Sequence, residues 1–296
     1  MIDKLRMFIA LARERHFGRA AEACGVAQPS LSSAIRQLEE QLGVRLVHRG
    51  SRYQGLTPEG ERVLIHALRI VGDVRALRDE MRMARSGLSG HVRLGVIPTA
   101  LPVIAELTRP FLARHRNVTL SILSRTSADI LSGIESLQLE AGVTYLDNEP
   151  LGRVARVALY AERYRFLCAP QSALAARKRV TWAEAAAEPL CLLTSGMQNR
   201  RIIDQLMNEA GAHPAPRLET DSLLVLVGHV MGGDWASVVP LRLAQMFAHD
   251  GRLVALPLEE PRASHIVGLI AAHRVPLTPV LAALFAEAER FHPAEA

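Results

Sequence analysis

Apolar side chains near the N-terminus recur with helical spacing in three short segments. Residues 5–12, 18–24 and 29–42 each place their apolar positions three or four residues apart, which predicts three consecutive helices. Gly25 ends the second helix, and Pro29 is typical of a first helical turn because its missing N–H would be unpaired there anyway. Two helices joined by a small-residue elbow predict a helix-turn-helix unit.

The polar face of the third helix has the chemistry of a DNA-reading surface. Its first half has no acidic residue and carries hydroxyls, amides and one arginine, the groups that reach phosphates and base edges in the major groove. The stretch 44–56 alternates loosely and is basic, which predicts a β-ribbon, or wing, along the phosphate backbone. The predicted DNA-contacting residues are Gln28, Pro29, Ser30, Ser32, Ser33 and Arg36 on the helix and Arg49, Arg52 and Tyr53 on the wing. The simpler alternative is an amphipathic three-helix packing unit with a solvated polar face.

A long helix is predicted to follow this unit. Thr57, Pro58 and Glu59 form a strong helix start, and apart from Gly72 no breaker follows before residues 86–90. A roughly heptad seam, interrupted at one arginine, comprises Leu64, Ala67, Val71, Val74 and Met81. We expect this helix to pair with a second copy of itself, and the alternative is a long solvated spacer.

Strand and helix patterns alternate over the rest of the chain. Strands are predicted at 91–97, 118–124, 141–145, 153–169 (one or two), 190–193, 217–220, 235–239 and near 253 and 266. Helices are predicted from about 101 to 115 and at 128–139, 199–210, 223–231 and 278–291. This alternation predicts an α/β region with parallel or mixed sheets covered by helices.

Charge is unevenly distributed along the 296 residues. The formal net charge is +5, and residues 1–58 hold nine basic and five acidic side chains, whereas residues 91–296 hold 20 of each. The basic excess therefore lies in the segment that is expected to meet phosphates.

Hydrophobic residues make up 49% of the chain, no run is long enough to span a membrane, and no signal peptide opens it. Three widely separated cysteines predict neither a disulfide framework nor a zinc module and fit the cytoplasm best.

The usual catalytic and nucleotide-binding motifs are absent from the sequence. It contains no G-x-S-x-G, S-x-x-K, H-E-x-x-H, G-x-G-x-x-G or P-loop, and its 11 histidines are scattered. We therefore expect no catalytic residue, no metal site and no cofactor. An enzyme and a small-molecule binding protein without a role on DNA are the alternatives to a regulator.

Three runs of sequence resemble the LysR-type transcriptional regulators. Residues 17–44 are similar to the winged helix-turn-helix of that family, 56–60 to the entry into its linker helix, and 90–97 to the first strand of its regulatory domain. The resemblance covers essentially the whole chain. It implies a multidomain α+β protein whose regulatory part has a periplasmic-binding-protein-like α/β fold of two subdomains with a cleft between them.

The resemblance also implies boundaries and a mechanism. The winged helix-turn-helix would occupy 1–58, the dimerising linker helix 59–87 and the regulatory domain 88–296, with subdomain I at 91–162 plus 264–296 and subdomain II at 163–263. Such a protein is expected to bind double-stranded promoter DNA with partial dyad symmetry. It would act as a homotetramer built on linker-helix dimers, contact RNA polymerase, and respond to a small effector in the cleft.

The resemblance places the effector near helix N-termini, which favour a small carboxylate or another anion. The expected effector-binding residues are Thr99, Ala100, Leu101, Ser127, Tyr145, Thr194, Ser195, Met197, Asn199 and Arg200. Residues 232–235 and 141–145 depart from the common family pattern, which affects the detailed shape of the cleft. Residues 142–147 and 192–200 are most similar to regulators of formate dehydrogenase operons, which makes formate a candidate effector.

Overall fold

The computed structural model describes residues 1–48, 53–259, 261, 263–273 and 276–291. The chain forms two compact units. The first consists of Met1–Ser89 with the short segments Glu135–Gln138 and Leu277–Pro279, and the second holds the rest of the chain.

Four helices build the first unit: α1 (Ile2–Glu14), α2 (Phe17–Ala23), α3 (Gln28–Leu42) and α4 (Pro58–Ser86). Their apolar faces meet in one core, which includes the fully buried Phe8, Leu11, Leu31 and Leu38. The elbow between α2 and α3 turns at Gly25, whose φ of 67° lies in the left-handed region that favours glycine. The three short helices and the elbow lie where the apolar spacing predicted them.

Helix α4 begins at a threonine cap and runs for 29 residues, about 44 Å at 1.5 Å per residue. The Thr57 hydroxyl accepts a hydrogen bond from Gly60 N at 2.9 Å. The predicted seam is wrong in its first half, because Ala67 and Val71 are buried in the core of their own unit. The exposed apolar side chains of α4 are Ile65, Ile70, Leu77, Met81 and Met83.

The second unit is α/β. Its strands are β1 (Ser89–Val96), β2 (Asn117–Ser124), β3 (Ala141–Tyr145), β4 (Val154–Glu162), β5 (Tyr164–Cys168), β6 (Cys191–Leu193), β7 (Leu218–Thr220), β8 (Ser237–Pro240), β9 (Val254–Pro257) and β10 (His265–Ala272). Its helices are α5 (Leu101–Arg114), α6 (Ser127–Glu135), α7 (Trp182–Ala187), α8 (Gln198–Glu209), α9 (Leu223–Met231), α10 (Leu241–Ala248) and α11 (Pro279–Glu289). A 3₁₀ turn at Pro98–Ala100 precedes α5.

These strands form separate sheets in two halves of the unit. One half contains the five-stranded sheet β2-β1-β3-β10-β4, and the other contains β8-β5-β9 and the pair β6-β7. Strand β1 pairs with β3 in parallel, and β10 runs antiparallel to both β3 and β4. The chain crosses between the halves at the junction of β4 and β5 and returns between β9 and β10. The mixed sheets covered by helices confirm the α/β architecture.

Two short helices were not predicted from the sequence. Helix α7 begins at Thr181, where the threonine hydroxyl and the Glu184 carboxylate cap each other's backbone N–H groups. That T-x-x-E capping box is a readable signal. Helix α10 follows Pro240, and its buried residues Leu243 and Ala244 pack beside β5 and β8. In the described part of the chain, no helix is both long enough and apolar enough to cross a lipid bilayer.

Candidate nucleic-acid interface and effector cleft

Helix α3 presents its predicted DNA-contacting residues on one solvent-facing side. Leu31, Ile35 and Leu38 are buried, because their spacing of four and three residues places them on the core side. The opposite side is polar and solvent-accessible, with Ser32 half-buried. Its exposed members are Gln28, Pro29, Ser30, Ser33 and Arg36. The N-cap residue Ala27 supplies no side-chain acceptor, so the positive end of the helix is open to an anion such as a phosphate.

The wing is held to α3 by the side chain of Glu39. The Glu39 carboxylate accepts from the backbone N–H groups of Leu46 at 2.8 Å and Val47 at 3.3 Å. Val47 then pairs in an antiparallel bridge with Leu56. Ser32 and Arg36 line a groove of about 800 Å³ between the helix and this wing.

Three predicted wing residues have different outcomes. Arg49 and Arg52 lie outside the described residues. Tyr53 is half-buried against the core of the first unit, and this burial raises the pKa of its hydroxyl. Its ring is therefore a packing element, and only its exposed part is available to DNA.

In the second unit, five predicted effector residues come together where strands end and helices begin. Thr99 lies in the 3₁₀ turn after β1, Ser127 opens α6, Tyr145 ends β3, and Met197 and Asn199 lie at the start of α8. With Gln198, these residues line a small inner cavity of about 10 Å³, which has room for about one water molecule.

Neutral polar groups surround this cavity. Asn199 Nδ2 donates to the Tyr145 hydroxyl at 3.2 Å, and the Thr99 hydroxyl lies 3.4 Å from the same oxygen. The Thr144 hydroxyl donates to Ser127 Oγ at 3.0 Å, which leaves the Ser127 proton for a further acceptor. The Gln198 side chain is buried, and its Nε2 has no hydrogen-bond partner. A buried donor without an acceptor is costly, so a ligand that accepts from it would be favoured.

Backbone N–H groups at the N-terminus of α8 add to the donors. Its N-cap residue Met197 forms no side-chain cap hydrogen bond. Thr194 and Ser195 are therefore not the cap of α8, and the first-turn N–H groups of that helix have no side-chain acceptor. Helix α8 therefore begins with its positive pole at the cleft. At the start of α5, by contrast, the Leu101 N–H already donates to the Pro98 carbonyl, and Pro102 has no N–H.

A carboxyl group that the sequence did not reveal lies beneath this cavity. Glu162, at the end of β4, is 2% exposed and accepts a hydrogen bond from the Tyr145 hydroxyl. Burial raises the pKa of Glu162 to about 7, although hydrogen bonds to its carboxylate oppose that rise. Burial, together with the negative charge of Glu162, holds the pKa of Tyr145 well above its usual range. Tyr145 therefore stays protonated, while Glu162 can gain or lose a proton near neutral pH.

The outer part of the cleft is a wider cavity of about 550 Å³. Pro98, Leu101 and Thr126 line it from one half of the unit, and Met197 and Leu224 from the other. It adjoins the small inner cavity, because Pro98, Thr126 and Met197 line both.

The remaining predicted effector residues lie farther from the cavity or are occupied. Ala100 is buried, Thr194 is half-buried and Ser195 is exposed. Arg200 does not offer its charge to the cleft: its guanidinium binds the Asp204 carboxylate at 2.7 Å, the Leu193 carbonyl at 2.9 Å and the Glu219 carboxylate. The expectation that Arg200 adds charge to the ligand site is thus contradicted, because two acidic side chains already neutralise it. Among the described residues, no three or more His, Cys, Asp or Glu side chains lie close enough together to hold a metal ion.

The sequence matches two family models that together cover most of the chain. Residues 2–61 match the bacterial regulatory helix-turn-helix protein, lysR family, and residues 85–292 match the LysR substrate binding domain. The family and the fold predicted from the sequence are confirmed.

Curated relatives align over nearly the whole chain. A probable hydrogen peroxide-inducible genes activator from Mycobacterium avium is 30% identical over 271 residues, 91% of this chain and 87% of that protein. The DNA-binding transcriptional dual regulator OxyR of Escherichia coli (strain K12) is 30% identical over 274 residues, 91% of this chain and 88% of that protein.

Solved structures share the fold over its full length. A full-length OxyR variant from Pseudomonas aeruginosa superposes with a TM-score of 0.76 at 23% identity, covering 100% of this chain and 99% of that one. Full-length CbnR complexed with its target DNA gives a TM-score of 0.63 at 21% identity, covering 99% and 100%.

Proposed function

We propose that this chain, which belongs to the LysR family of bacterial helix-turn-helix regulators, controls promoters in response to a small anion that binds beside Gln198. Family membership makes the chain a DNA-binding regulator with an effector-binding domain. The observation that carries the choice of ligand is the buried Gln198 amide, whose Nε2 lacks a hydrogen-bond acceptor and which lines the small inner cavity of about 10 Å³.

The size of the cavity favours an effector of very few atoms. A cavity with room for about one water molecule admits a formate-sized molecule after a slight widening, whereas a larger molecule would have to separate the two halves of the unit. The resemblance to formate dehydrogenase regulators supports formate as the first molecule to test. The subgroup assignment stays a prediction, since the relatives described above carry the name of peroxide-inducible activators.

The donors around the cavity support an acceptor-rich ligand. Gln198 Nε2, the hydroxyls of Thr99 and Ser127 and the first-turn N–H groups of α8 all have the polarity that a carboxylate needs. Because Arg200 is neutralised by two acidic side chains, the anion would be held by neutral donors and the helix pole rather than by an ion pair.

Cysteine-based sensing of hydrogen peroxide, suggested by the names of the relatives, is less well supported. Peroxide oxidises thiolates, and burial raises the pKa of all three thiols, that of Cys191 to about 11. Cys168 and Cys191 are also buried. We expect hydrogen peroxide to act on this chain only weakly through these thiols.

The assembly follows from the family expectation. We propose linker-helix dimers that associate into a homotetramer on a promoter site with partial dyad symmetry, in the cytoplasm and within reach of RNA polymerase. An anion that draws the two halves of the unit together would change the spacing of the DNA-binding units and hence the bend of the DNA.

The test combines ligand binding with DNA binding on the full chain. Sodium formate at millimolar concentration should raise the melting temperature relative to sodium chloride of equal ionic strength, and it should change the anisotropy of labelled promoter DNA. The variants Gln198→Met and Thr99→Val should lose the formate response while keeping basal DNA binding, and Thr119→Val, on exposed β2, should keep both. An unchanged response in Gln198→Met would place the ligand elsewhere. A response to hydrogen peroxide without one to formate would favour the peroxide alternative.

A further inference from the structure

Glu162 lies where the chain passes from one half of the second unit to the other. It ends strand β4, and β5 of the other half begins two residues later at Tyr164. Three of the four tyrosines in the chain lie around this carboxyl group: Tyr145 hydrogen-bonds to it, and its charge raises the pKa of Tyr160 and Tyr164. The concentration of tyrosines at one buried acid is unlike the rest of the molecule and calls for an explanation beyond packing.

The Tyr145 hydroxyl is the junction of this cluster. It donates to Glu162 and accepts from Asn199 Nδ2 at 3.2 Å, so that one oxygen joins strand β4, strand β3 and helix α8. Strand β3 belongs to the five-stranded sheet, whereas α8 packs against β6 and α7 in the other half. The path Glu162–Tyr145–Asn199 is therefore a hydrogen-bonded latch across the effector cleft.

Several polar atoms of the cluster have no hydrogen-bond partner. They are Glu162 Oε2, the hydroxyls of Tyr160 and Tyr164, and the facing atoms Asp147 Oδ1 and His265 Nδ1. Five of the eight such atoms found in the described residues thus lie around one carboxyl group. A fully satisfied network would hold a single structure, whereas this one has unused hydrogen bonds that another arrangement could form.

No cationic side chain of the described residues forms an ion pair with Glu162. From β10, His265 packs edge-on against Tyr145 and lies 3.5 Å from the Asp147 carboxylate. From α10, Arg242 lies over the Tyr160 ring and contacts the Glu106 carboxylate at 3.3 Å.

The two arginines at the start of α8 are also engaged. Arg200 is held by Asp204 and Glu219, and Arg201 by Glu149. A negative charge on Glu162 in the closed cleft is therefore stabilised by neutral hydrogen-bond donors, the Tyr145 hydroxyl first among them, and by no cation of the described residues.

We propose that closing of the effector cleft is coupled to the uptake of one proton by Glu162. With the carboxyl group neutral, the latch through Tyr145 and Asn199 holds the two halves together. Ionisation favours the open arrangement, in which water reaches the carboxylate. An anion bound beside Gln198 adds negative potential next to Glu162 and so favours its neutral form, which makes anion binding and proton uptake mutually reinforcing. The coupling of proton and closure needs no ligand, and only this last step rests on the proposed function.

The experiment measures cleft opening without any ligand. Spin labels at Ser124→Cys and Leu224→Cys, on opposite walls of the outer cavity, report the distance across the cleft by double electron–electron resonance. Cys24→Ser removes the half-buried native thiol, and dilution with unlabelled chain suppresses distances between protomers. Between pH 6 and pH 8 the ratio of long to short distances should rise about tenfold, the change expected for one proton with a closed-state pKa near 7. Glu162→Gln, which stays neutral, should keep one distribution at both pH values.

The matched control is Glu289→Gln, an exposed carboxylate on α11, which should behave as the parent protein does. A parent distance distribution that is the same at pH 6 and pH 8 would overturn the proposal, and so would a pH response that persists in Glu162→Gln. If that variant does not fold, the parent titration still decides, together with the infrared band of a protonated carboxyl group, expected at pH 6 and lost at pH 8. Sodium formate should then raise the pH at which the cleft opens. A pH response that formate leaves unaltered would overturn the proposed ligand and leave the proton coupling standing.

Discussion

Asn199 donates its side-chain amide to the Tyr145 hydroxyl at 3.2 Å, and the two residues belong to different halves of the second unit. The same hydroxyl donates to Glu162, so Tyr145 uses both its donor and one acceptor position in buried hydrogen bonds. The cleft is thus closed by a specific polar contact as well as by packing. A ligand in the neighbouring cavity therefore binds beside a closed cleft whose free energy depends on the Tyr145 hydroxyl.

Replacing this phenol should destabilise the second unit. Tyr145→Phe removes the hydroxyl and leaves a buried carboxyl group and a buried amide without their partner, which costs about 1–3 kcal/mol. The melting temperature should fall by roughly 2–4 °C per kcal/mol lost. Tyr160→Phe is the matched control, because the Tyr160 hydroxyl has no hydrogen-bond partner. Equal melting temperatures for the two variants would contradict the role given to Tyr145.

Stability should depend on pH through Glu162. The pKa of this group is about 7 in the folded chain against 4.5 for the free group, so the folded state holds a proton that the unfolded state has released. The contribution of Glu162 to the free energy of unfolding is therefore fully present below pH 4.5. That free energy falls by about 3 kcal/mol in all as the pH rises to about 7. Glu162→Gln should lack this loss. Subtracting the pH profiles of unfolding of the variant and the parent isolates the effect, and a flat difference between pH 5 and pH 8 would contradict it.

The inward orientation of Glu162 could not be predicted from the strand pattern. In the pairing of β4 with β10, Tyr160 faces Val267 and Ala158 faces Gly268, so Leu159 is an extra residue. Such a bulge changes which residues of the strand face inward, and nothing in the local sequence marks it. Periodicity predicted most of the helices and strands, because their apolar faces are continuous, and the family resemblance placed Thr99, Tyr145 and Asn199 among the expected effector residues.

The errors at Arg200 and along α4 share another cause. The partner Glu219, 19 residues away, neutralises Arg200, and helix α1 buries Ala67 and Val71. Both outcomes depend on tertiary contacts that lie outside the segment in which each residue was interpreted. The sequence contained one signal of the site around Glu162. Only four tyrosines occur in 296 residues, and three of them lie around this carboxyl group.

The bulge in β4 requires a glycine on the partner strand. A side chain at Gly268 would overlap the Val157 carbonyl oxygen and approach Leu146 Cδ1 at 2.5 Å. Gly268→Ala should therefore lower the unfolding free energy by about 1–3 kcal/mol through overpacking. Gly228→Ala in helix α9 meets no atom within 4 Å and should be neutral or stabilising by up to about 1 kcal/mol. Urea unfolding followed by circular dichroism distinguishes them, and a Gly268→Ala variant as stable as its control would contradict the bulge.

Arg36 should contribute to DNA binding from the exposed side of α3. Arg36→Ala is expected to weaken promoter binding by about 1–3 kcal/mol if the guanidinium contacts a base, or to reduce the salt dependence by about one phosphate if it contacts the backbone. Arg69→Ala removes the same charge from the exposed surface of α4 and serves as the control. Fluorescence anisotropy at several salt concentrations measures both quantities. If the affinity and the salt slope of Arg36→Ala equal those of Arg69→Ala, Arg36 does not contact the DNA.

Self-association should depend on the apolar side chains that α4 exposes. Ile70, Leu77 and Met81 lie seven and four residues apart, which is the spacing of a heptad seam, and Leu77 is 57% exposed within its own chain. Leu77→Asp places a charge in the middle of that seam and should raise the dissociation constant of the dimer at least tenfold, whereas Arg78→Asp, beside it on the exposed surface, should change it much less. Sedimentation velocity over a range of concentrations measures the equilibrium. Because Leu77 takes no part in the core of the first unit, the variant should stay folded by circular dichroism. A dimer of undiminished strength would then mean that the chains associate through a surface other than the seam of α4.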